Sequence, residues 1–133
     1  MFIDKKEKIK MNKLLKSSML MMLLISSSLF ADCKKPMSQW EMNDCADLEY
    51  KEADKELNNV YKQLMSKFDA NEKEKLKIEQ RKWIVFRDGS AKESISDVSG
   101  SMASGIYSSS LAHHTKNRIK ELKALLAKKE SGK

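Results

Sequence analysis

Proline, glycine, cysteine and histidine are all scarce in this chain of 133 residues. It contains one Pro, four Gly, two Cys and two His. So little Pro and Gly excludes collagen-like and Pro-rich disordered proteins. No internal repeat, Gly-rich phosphate loop or extended strand-like alternation is visible either. What is abundant is Lys, Glu, Leu and Ala, which favour helices, and the length fits a single domain of roughly 100–200 residues.

Positive charge is concentrated at the N terminus. The whole chain has 26 Lys+Arg against 19 Asp+Glu, a formal net charge of +7. Residues 1–31 hold six Lys and two acids, which leaves 20 basic and 17 acidic residues, a net charge of +3, for 32–133. Nucleic-acid-binding domains concentrate a basic surplus on one face. The small surplus of 32–133 therefore argues against a nucleic-acid partner.

The first 31 residues have the pattern of a secretory signal peptide. A Lys-rich stretch precedes an apolar run over 17–31, which ends at the small residue Ala31. The run is shorter than the roughly 20 apolar residues of a membrane-spanning helix. We predict cleavage after Ala31 and a periplasmic or secreted domain over 32–133, with a retained membrane anchor as the alternative. Met11 is a second candidate start, because it opens a more typical signal than Met1.

Both cysteines, Cys33 and Cys45, follow this leader. An oxidising compartment favours a disulfide between them, which the chain-entropy model values at about 3 kcal/mol for a short loop. A metal pair and free thiols are the alternatives, but a structural zinc site needs four ligands.

Adjacent helical residues point about 100° apart, so His113 and His114 are expected on the surface. We predict no metal and no cofactor.

Apolar residues at steps of three and four predict a long first helix. Its start is marked by a capping box, with Ser38 at the cap and Glu41 three residues later. One apolar stripe then continues from Met42 to Phe68, about eight helical turns. The turn-forming residues 69–71 are expected to end it.

Two further helices are predicted, from about Glu72 to Lys92 and from about 101–105 to Lys128, with a polar linker over 93–104. The three helices predict a small all-α, antiparallel bundle, followed by a frayed tail over 129–133. The face of the second helix that is expected to be buried comprises Leu76, Gln80, Trp83, Ile84 and Arg87. Other expected core residues are Met42, Tyr61 and Met65, and the stripe of the third helix comprises Met102, Ile106, Leu111, Thr115, Ile119, Leu122 and Leu125. The environment of Trp40 is ambiguous.

Several polar residues fall on or beside the apolar stripes. They are Asp54, Asn58, Gln80, Arg87, Asp88, Thr115 and Arg118. A catalytic cluster is one interpretation, and a hydrogen-bonded network that fixes the helix register is the favoured one, because buried charges need partners and Arg donates in a fork to Asp. No Ser lies in a Gly-x-Ser-x-Gly turn, and so small a bundle leaves little room for two carboxylates across a cleft. We therefore expect a protein without catalytic activity.

An ordered set of motifs covers residues 33–127. It comprises Cys33, Gln39–Ala46, Asp54–Tyr61, Gln80–Asp88, Gly100–Met102, Leu111 and Thr115–Leu122. This order and spacing resemble the LprI-type lysozyme inhibitor family, an exported helical domain of bacteria. The resemblance implies a protein that docks on a lysozyme and inhibits it. An interaction or scaffold module of the periplasm, without lysozyme inhibition, is the alternative.

The chain departs from the family pattern at two positions. Members of the family often have a second cysteine pair, and the matching positions here are Ala91 and Ser110. The linker 92–109 is therefore expected to be more mobile than in relatives with four cysteines.

Acidic residues cluster over 44–56, where six acids accompany two lysines. Such a run usually means a solvated helix face, but animal-type lysozymes are strongly cationic, and complementary charge steers association. The candidate partner-binding residues are Asp44, Asp47, Glu49 and Glu52, together with Lys92 at the start of the linker.

Overall fold

Three helices account for most of the described chain. The computed structural model describes residues 33–36 and 38–132, so the predicted signal peptide lies outside the described residues. The helices are α1 (Gln39–Lys67), α2 (Ala70–Glu93) and α3 (Met102–Glu130), and no strand occurs in the described part. The prediction of an all-α fold with a long first helix is confirmed. None of the described helices has an apolar stretch long enough to cross a bilayer.

Ser38 begins α1 through the predicted capping box. Its hydroxyl accepts the backbone N–H of Glu41 at 3.1 Å, and the Glu41 carboxylate accepts the backbone N–H of Ser38 at 3.1 Å. The box gives partners to two of the N–H groups that a helix start leaves unpaired. At the other end, the backbone at Phe68 becomes extended while its N–H still donates to the carbonyl of Leu64.

A second capping box begins α2 earlier than the sequence predicts. Asp69 Oδ1 accepts the backbone N–H of Glu72 at 2.9 Å, and Glu72 Oε2 accepts that of Asp69 at 2.9 Å. Asp69 therefore caps the second helix as well as following the first, and α2 starts at Ala70 rather than at Glu72. Only Phe68 and Asp69 separate α1 from α2, which makes a tight helical hairpin.

The long segment between α2 and α3 closes with a glycine turn. Gly100 has φ +79°, a conformation that residues with a Cβ rarely adopt. The Ser101 carbonyl beside it accepts a 2.6 Å hydrogen bond from the Asn43 amide of α1. This bond ties the start of α3 to the start of α1.

Consecutive helices are antiparallel, so α1 and α3 run in the same direction. The contacts that set the α1–α3 register are Asn43–Ser101, Glu49–Lys116, Glu56–Lys123 and Lys67–Glu130. The contacts that set the α2–α3 register are Glu72–Lys129, Gln80–Arg118 and Phe86–His114. The most extensive helix contact joins α1 to α3, and α2 packs mainly on α3. The Glu72–Lys129 and Lys67–Glu130 pairs also hold the start of the predicted frayed tail on the bundle, where α3 continues to Glu130.

Gly105 permits the close approach of α1 and α3. A Cβ at this position would lie 2.3 Å from Asn43 Oδ1 and 3.4 Å from the Asn43 Cα. Real Cβ atoms do not approach other heavy atoms this closely, so only glycine fits beside the Asn43 side chain.

The core follows the α1 stripe and the second half of α3. Its buried members are Ala53, Leu57, Val60, Leu64, Phe68, Leu76, Ile119 and Leu122. Tyr61, Met65 and Trp83 pack against this cluster but stay partly exposed. Each fully buried leucine contributes about 1.5–3 kcal/mol through removal of its side chain from water.

Three of the expected core residues are exposed. Met42 is 44%, Met102 53% and Ile84 38% exposed. The Arg87–Asp54 pair fixes the position of α2 along α1. At this register α2 ends at Glu93, before it reaches the level of Met42, which is why Met42 stays exposed. Met102 lies at the same end of the bundle, in the first turn of α3. Ile84 lines an open groove between α1 and α2, whereas the sequence pattern placed it inside.

The predicted disulfide between Cys33 and Cys45 is present, with an S–S distance of 2.10 Å and a Cα–Cα distance of 5.5 Å. It fastens residues 33–36 to the second turn of α1. The side chain of Trp40 lies between the two cysteines in sequence and remains on the surface.

Candidate functional site

Arg87 is the centre of the polar residues predicted to form a network. Its side chain is 10% exposed, its Nη1 lies 3.5 Å from Asp54 Oδ1, and its Nε donates to Asp88 Oδ1 at 2.9 Å. The guanidinium carbon stands 5.1 Å from the Trp83 ring centroid and 5.5 Å from that of Tyr50. Two carboxylates and two aromatic rings thus compensate the loss of water around this cation.

Asn58 braces the α1 side of this cluster. Its amide nitrogen donates to the backbone carbonyl of Asp54 at 2.9 Å and to Asp54 Oδ2 at 3.2 Å. Burial raises the pKa of the nearby Tyr50 phenol above its usual value of 10.0, although the positive charge of Arg87 opposes the rise. The phenol is therefore neutral at physiological pH.

Gln80 and Arg118 form a second, separate pair between α2 and α3. Arg118 Nε donates to Gln80 Oε1 at 3.0 Å, and its Nη1 donates to Glu121 at 2.7 Å. Arg118 Nη2 and the Thr115 hydroxyl are buried without a hydrogen-bond partner in the described chain. The structure thus gathers Asp54, Asn58, Arg87 and Asp88 in one cluster, places Gln80 with Arg118 in another, and leaves Thr115 outside both.

A groove of about 480 Å³ separates α1 from α2. Four of the seven predicted network residues line it: Asp54, Asn58, Gln80 and Arg87. The groove is not predicted from the sequence, because polar residues on an apolar stripe are expected to be buried. The same pattern is equally typical of residues that line an open cleft, and the pairing of Gln80 with Arg87 on one face of α2 was the available signal.

Ion pairs within the protein neutralise much of the acidic run of α1. Lysines or Arg87 pair with four of its six acids, as Asp47–Lys51, Glu49–Lys116, Asp54–Arg87 and Glu56–Lys123. The hydrogen bond to Asp47 raises the pKa of Lys51. Asp44 and Glu52 make no ion pair with any described residue. The free negative charge of this face is therefore smaller than the sequence count suggests.

Trp40 lies at the end of this acidic face with 71% of its surface exposed. It borders a shallow pocket of about 300 Å³, whose other lining residues are Asn43, Asp44, Asp47, Ser104 and Ser108. An exposed indole beside two carboxylates and two hydroxyls suits a cationic side chain, which is attracted by both the ring face and the carboxylates. Lys92 is exposed near the end of α2, and because α2 is antiparallel to α1 it lies towards the same end of the bundle.

The two histidines have other contacts. The His114 ring lies edge-on to Phe86 at a centroid distance of 5.1 Å, and His113 Nε2 is 3.1 Å from the amide nitrogen of Asn117. Within the described residues no group of three His, Cys, Asp or Glu side chains is arranged to hold a metal ion.

The helix register aligns Ala91 and Ser110, the two positions that the family resemblance matches to a second cysteine pair. Ala91 lies five residues after Phe86 in α2, and Ser110 lies four residues before His114 in α3. Because Phe86 contacts His114 and the helices are antiparallel, Ala91 and Ser110 lie at the same level. Ala91 is fully buried.

Comparisons with known proteins find one matching family and a similar bacterial protein. The family described as Lysozyme inhibitor LprI matches residues 31–122. A protein of Rhizobium meliloti (strain 1021), named Uncharacterized protein R02472, is 36% identical over 114 residues, which is 75% of this chain and 82% of that protein. No solved structure matches.

The family match covers more than half of the chain, and the chain therefore belongs to the LprI family. The resemblance that the ordered motifs indicate is thereby confirmed.

Proposed function

We propose that this chain is an exported protein that binds a lysozyme and blocks it by docking, without catalysis of its own. The observation that carries the proposal is the match of the lysozyme inhibitor LprI family over 31–122. The pattern of the first 31 residues supports export. The Cys33–Cys45 bond supports it too, because disulfides persist in oxidising compartments.

The docking centre that we propose is Trp40 with Asp44 and Asp47. Large aromatic residues in well-packed interface centres supply much of the binding free energy. Carboxylates beside the ring add attraction for a cationic partner and speed its approach. Glu49, Glu52 and Lys92 are proposed to contribute at the periphery of the same interface, where charges affect the association rate more than the affinity.

A scaffold module of the periplasm is the second candidate. The observation that favours it is an exposed apolar stretch of α2, where Val85 is 74% and Phe86 56% exposed. Exposed apolar side chains in one place are typical of contact surfaces for other proteins. This surface lies on α2, whereas Trp40 lies on α1. Substitutions on each helix therefore test the two surfaces separately.

The experiment compares charge reversal on the two surfaces. The variant D44K/E52K removes the two carboxylates of α1 that have no ion pair in the described chain. The variant E74K/E79K changes the net charge equally, at two exposed positions of α2. We expect D44K/E52K to weaken lysozyme inhibition by about tenfold or more, which corresponds to about 1.4 kcal/mol, and E74K/E79K to retain it.

W40A tests the aromatic residue in the same assay, with V85A as the matched change on α2. Loss of inhibition in W40A but not in V85A supports the docking centre. Equal inhibition by all four variants contradicts it, and loss in V85A alone would mean that lysozyme contacts α2 instead. The scaffold candidate is favoured if the unmodified protein does not inhibit lysozyme at all. Circular dichroism of each variant confirms that the helices are intact.

A further inference from the structure

The groove between α1 and α2 is not used by the docking proposal. Its volume of about 480 Å³ lies within the roughly 300–1,000 Å³ of small-molecule sites. Leu57, Trp83 and Ile84 give it an apolar part, and Tyr61 adds a second aromatic ring. It is open along one side, so that an elongated ligand can enter without a movement of the helices.

Two amide side chains in the groove are each held by one atom only. Asn58 donates through Nδ2 to Asp54, and Gln80 accepts through Oε1 from Arg118. No hydrogen bond within the described residues uses Asn58 Oδ1 or Gln80 Nε2. The groove thus offers one fixed acceptor and one fixed donor, and the Tyr61 hydroxyl is able to do either.

The groove is also braced before any ligand arrives. Arg87 is nine-tenths buried, pairs with Asp54 and Asp88, and stacks against Trp83. These contacts hold the indole and the Asp54 carboxylate in place. Side chains that are already ordered lose little conformational entropy on binding, which favours recognition of a small ligand.

We propose that this groove binds a saccharide, in the form of a short oligosaccharide. Sugar hydroxyls both donate and accept, which matches the free Asn58 acceptor and Gln80 donor. The C–H face of a pyranose ring packs on aromatic rings such as those of Trp83 and Tyr61. Lys77, Arg81 and Arg87 line the groove beside Asp54, so the sugar it accepts can be neutral or acidic. A purely apolar ligand would bury the two amides without partners.

Tryptophan fluorescence tests this proposal in the disulfide-bonded protein. The background variant W40F leaves Trp83 as the one tryptophan of residues 33–132. The probe is a β-1,4-linked N-acetylglucosamine tetrasaccharide, with maltotetraose as a second sugar. We expect a saturable change in Trp83 emission with a Kd below about 1 mM for at least one of them.

The same titration in N58A and in Q80A is expected to weaken binding by about tenfold or more, whereas V85A on the exposed side of α2 leaves it unchanged. N58A serves as the safer test because Asn58 is exposed, while Q80A also removes the Arg118 contact. Circular dichroism confirms folding of each variant.

Three results would overturn the proposal. One is no change in emission with either sugar up to about 10 mM, which is about ten times the largest Kd that we expect. Another is a change that N58A and Q80A leave intact. The third is binding of an acidic tripeptide in place of both sugars. Because lysozyme inhibition is measured separately on the same variants, a groove without sugar leaves the docking proposal standing.

Discussion

Gly105 shows at the scale of a single residue how closely α1 and α3 pack. The Asn43 amide that faces it is not a free side-chain end, because Gln39 donates to its Oδ1 at 2.9 Å and its Nδ2 donates to the Ser101 carbonyl at 2.6 Å. A new Cβ at Gly105 therefore meets a side chain that is held from two sides.

G105A is expected to destabilise the protein by about 1–3 kcal/mol, as overpacking usually does. The N43A background removes the two nearest of these contacts, those to Asn43 Oδ1 and Cγ, and keeps the ordinary 3.4 Å contact to the residue 43 Cα. There the better helix propensity of alanine, about 0.5–1 kcal/mol, offsets the cost. Urea unfolding of the four proteins of this double-mutant cycle measures the coupling. An equal loss of stability in both backgrounds would contradict the close contact.

Leu64 is fully buried near the C-terminal end of the α1 stripe. We expect L64A to lower the free energy of unfolding by about 2–5 kcal/mol, because it removes buried methyl groups and leaves a cavity. V85A, on the exposed side of α2, is the control and is expected to change stability by less than about 0.5 kcal/mol. Chemical denaturation measures both, and a loss below about 1 kcal/mol in L64A would mean that the core is assigned wrongly.

The capping box at the start of α2 makes the stability of this helix depend on pH. Lys129 and the backbone N–H of Asp69 both donate to the Glu72 carboxylate, and they hold its pKa below the usual 4.5. The backbone N–H of Glu72 lowers the pKa of Asp69 below its usual 3.8. A carboxylate with a lowered pKa stabilises the fold above the pKa of the unfolded chain, and this contribution is lost as the pH falls below about 4.5.

E72Q is therefore expected to reduce the loss of thermal stability between pH 7 and pH 3. Thermal unfolding at both pH values measures this difference. E79Q, which changes an exposed carboxylate of the same helix, is the control and is expected to behave like the unmodified protein. If E72Q and the unmodified protein lose the same stability on acidification, the interaction of Glu72 with Lys129 does not stabilise α2.

The α2–α3 register predicts that a second disulfide can be restored. In the double variant A91C/S110C the two cysteines lie at the same level of neighbouring antiparallel helices, and we expect them to bond under oxidising conditions. Such bonds typically add about 2–4 kcal/mol. A91C/S109C is the control, because position 109 is rotated by about 100° around α3. Free thiols in A91C/S110C, measured by thiol titration, would contradict the register.

In the molecule as a whole, the sequence predicts the helices but not the distances between them. Ser38 and the periodic stripe predicted the start and length of α1 because caps and amphipathic faces are local features. The sequence did not reveal that α1 and α2 diverge. The pattern that placed Ile84 in the core cannot tell a packed face from one that borders a groove.

The polar residues illustrate the same limit. The sequence grouped Arg87 and Asp54 in one network of seven residues, because a buried cation on an apolar stripe needs an anion, but it did not indicate which residues pair. The structure places Arg87 Nη1 3.5 Å from Asp54 Oδ1. Thr115 was expected in the same network, yet its buried hydroxyl has no partner among the described residues. Similarly, the six acids over 44–56 were visible in sequence, but their neutralisation by Lys116 and Lys123 depends on the α1–α3 register, which only the fold provides.

The measurement that tests the central claim most directly is the clearing of a bacterial cell-wall suspension by an animal-type lysozyme. Disulfide-bonded protein comprising residues 32–133 is added in increasing amounts, and the turbidity is followed. We predict that clearing slows in proportion to the protein added until it stops. Clearing at the full rate in the presence of high micromolar protein, or clearing by the protein alone without lysozyme, would contradict it.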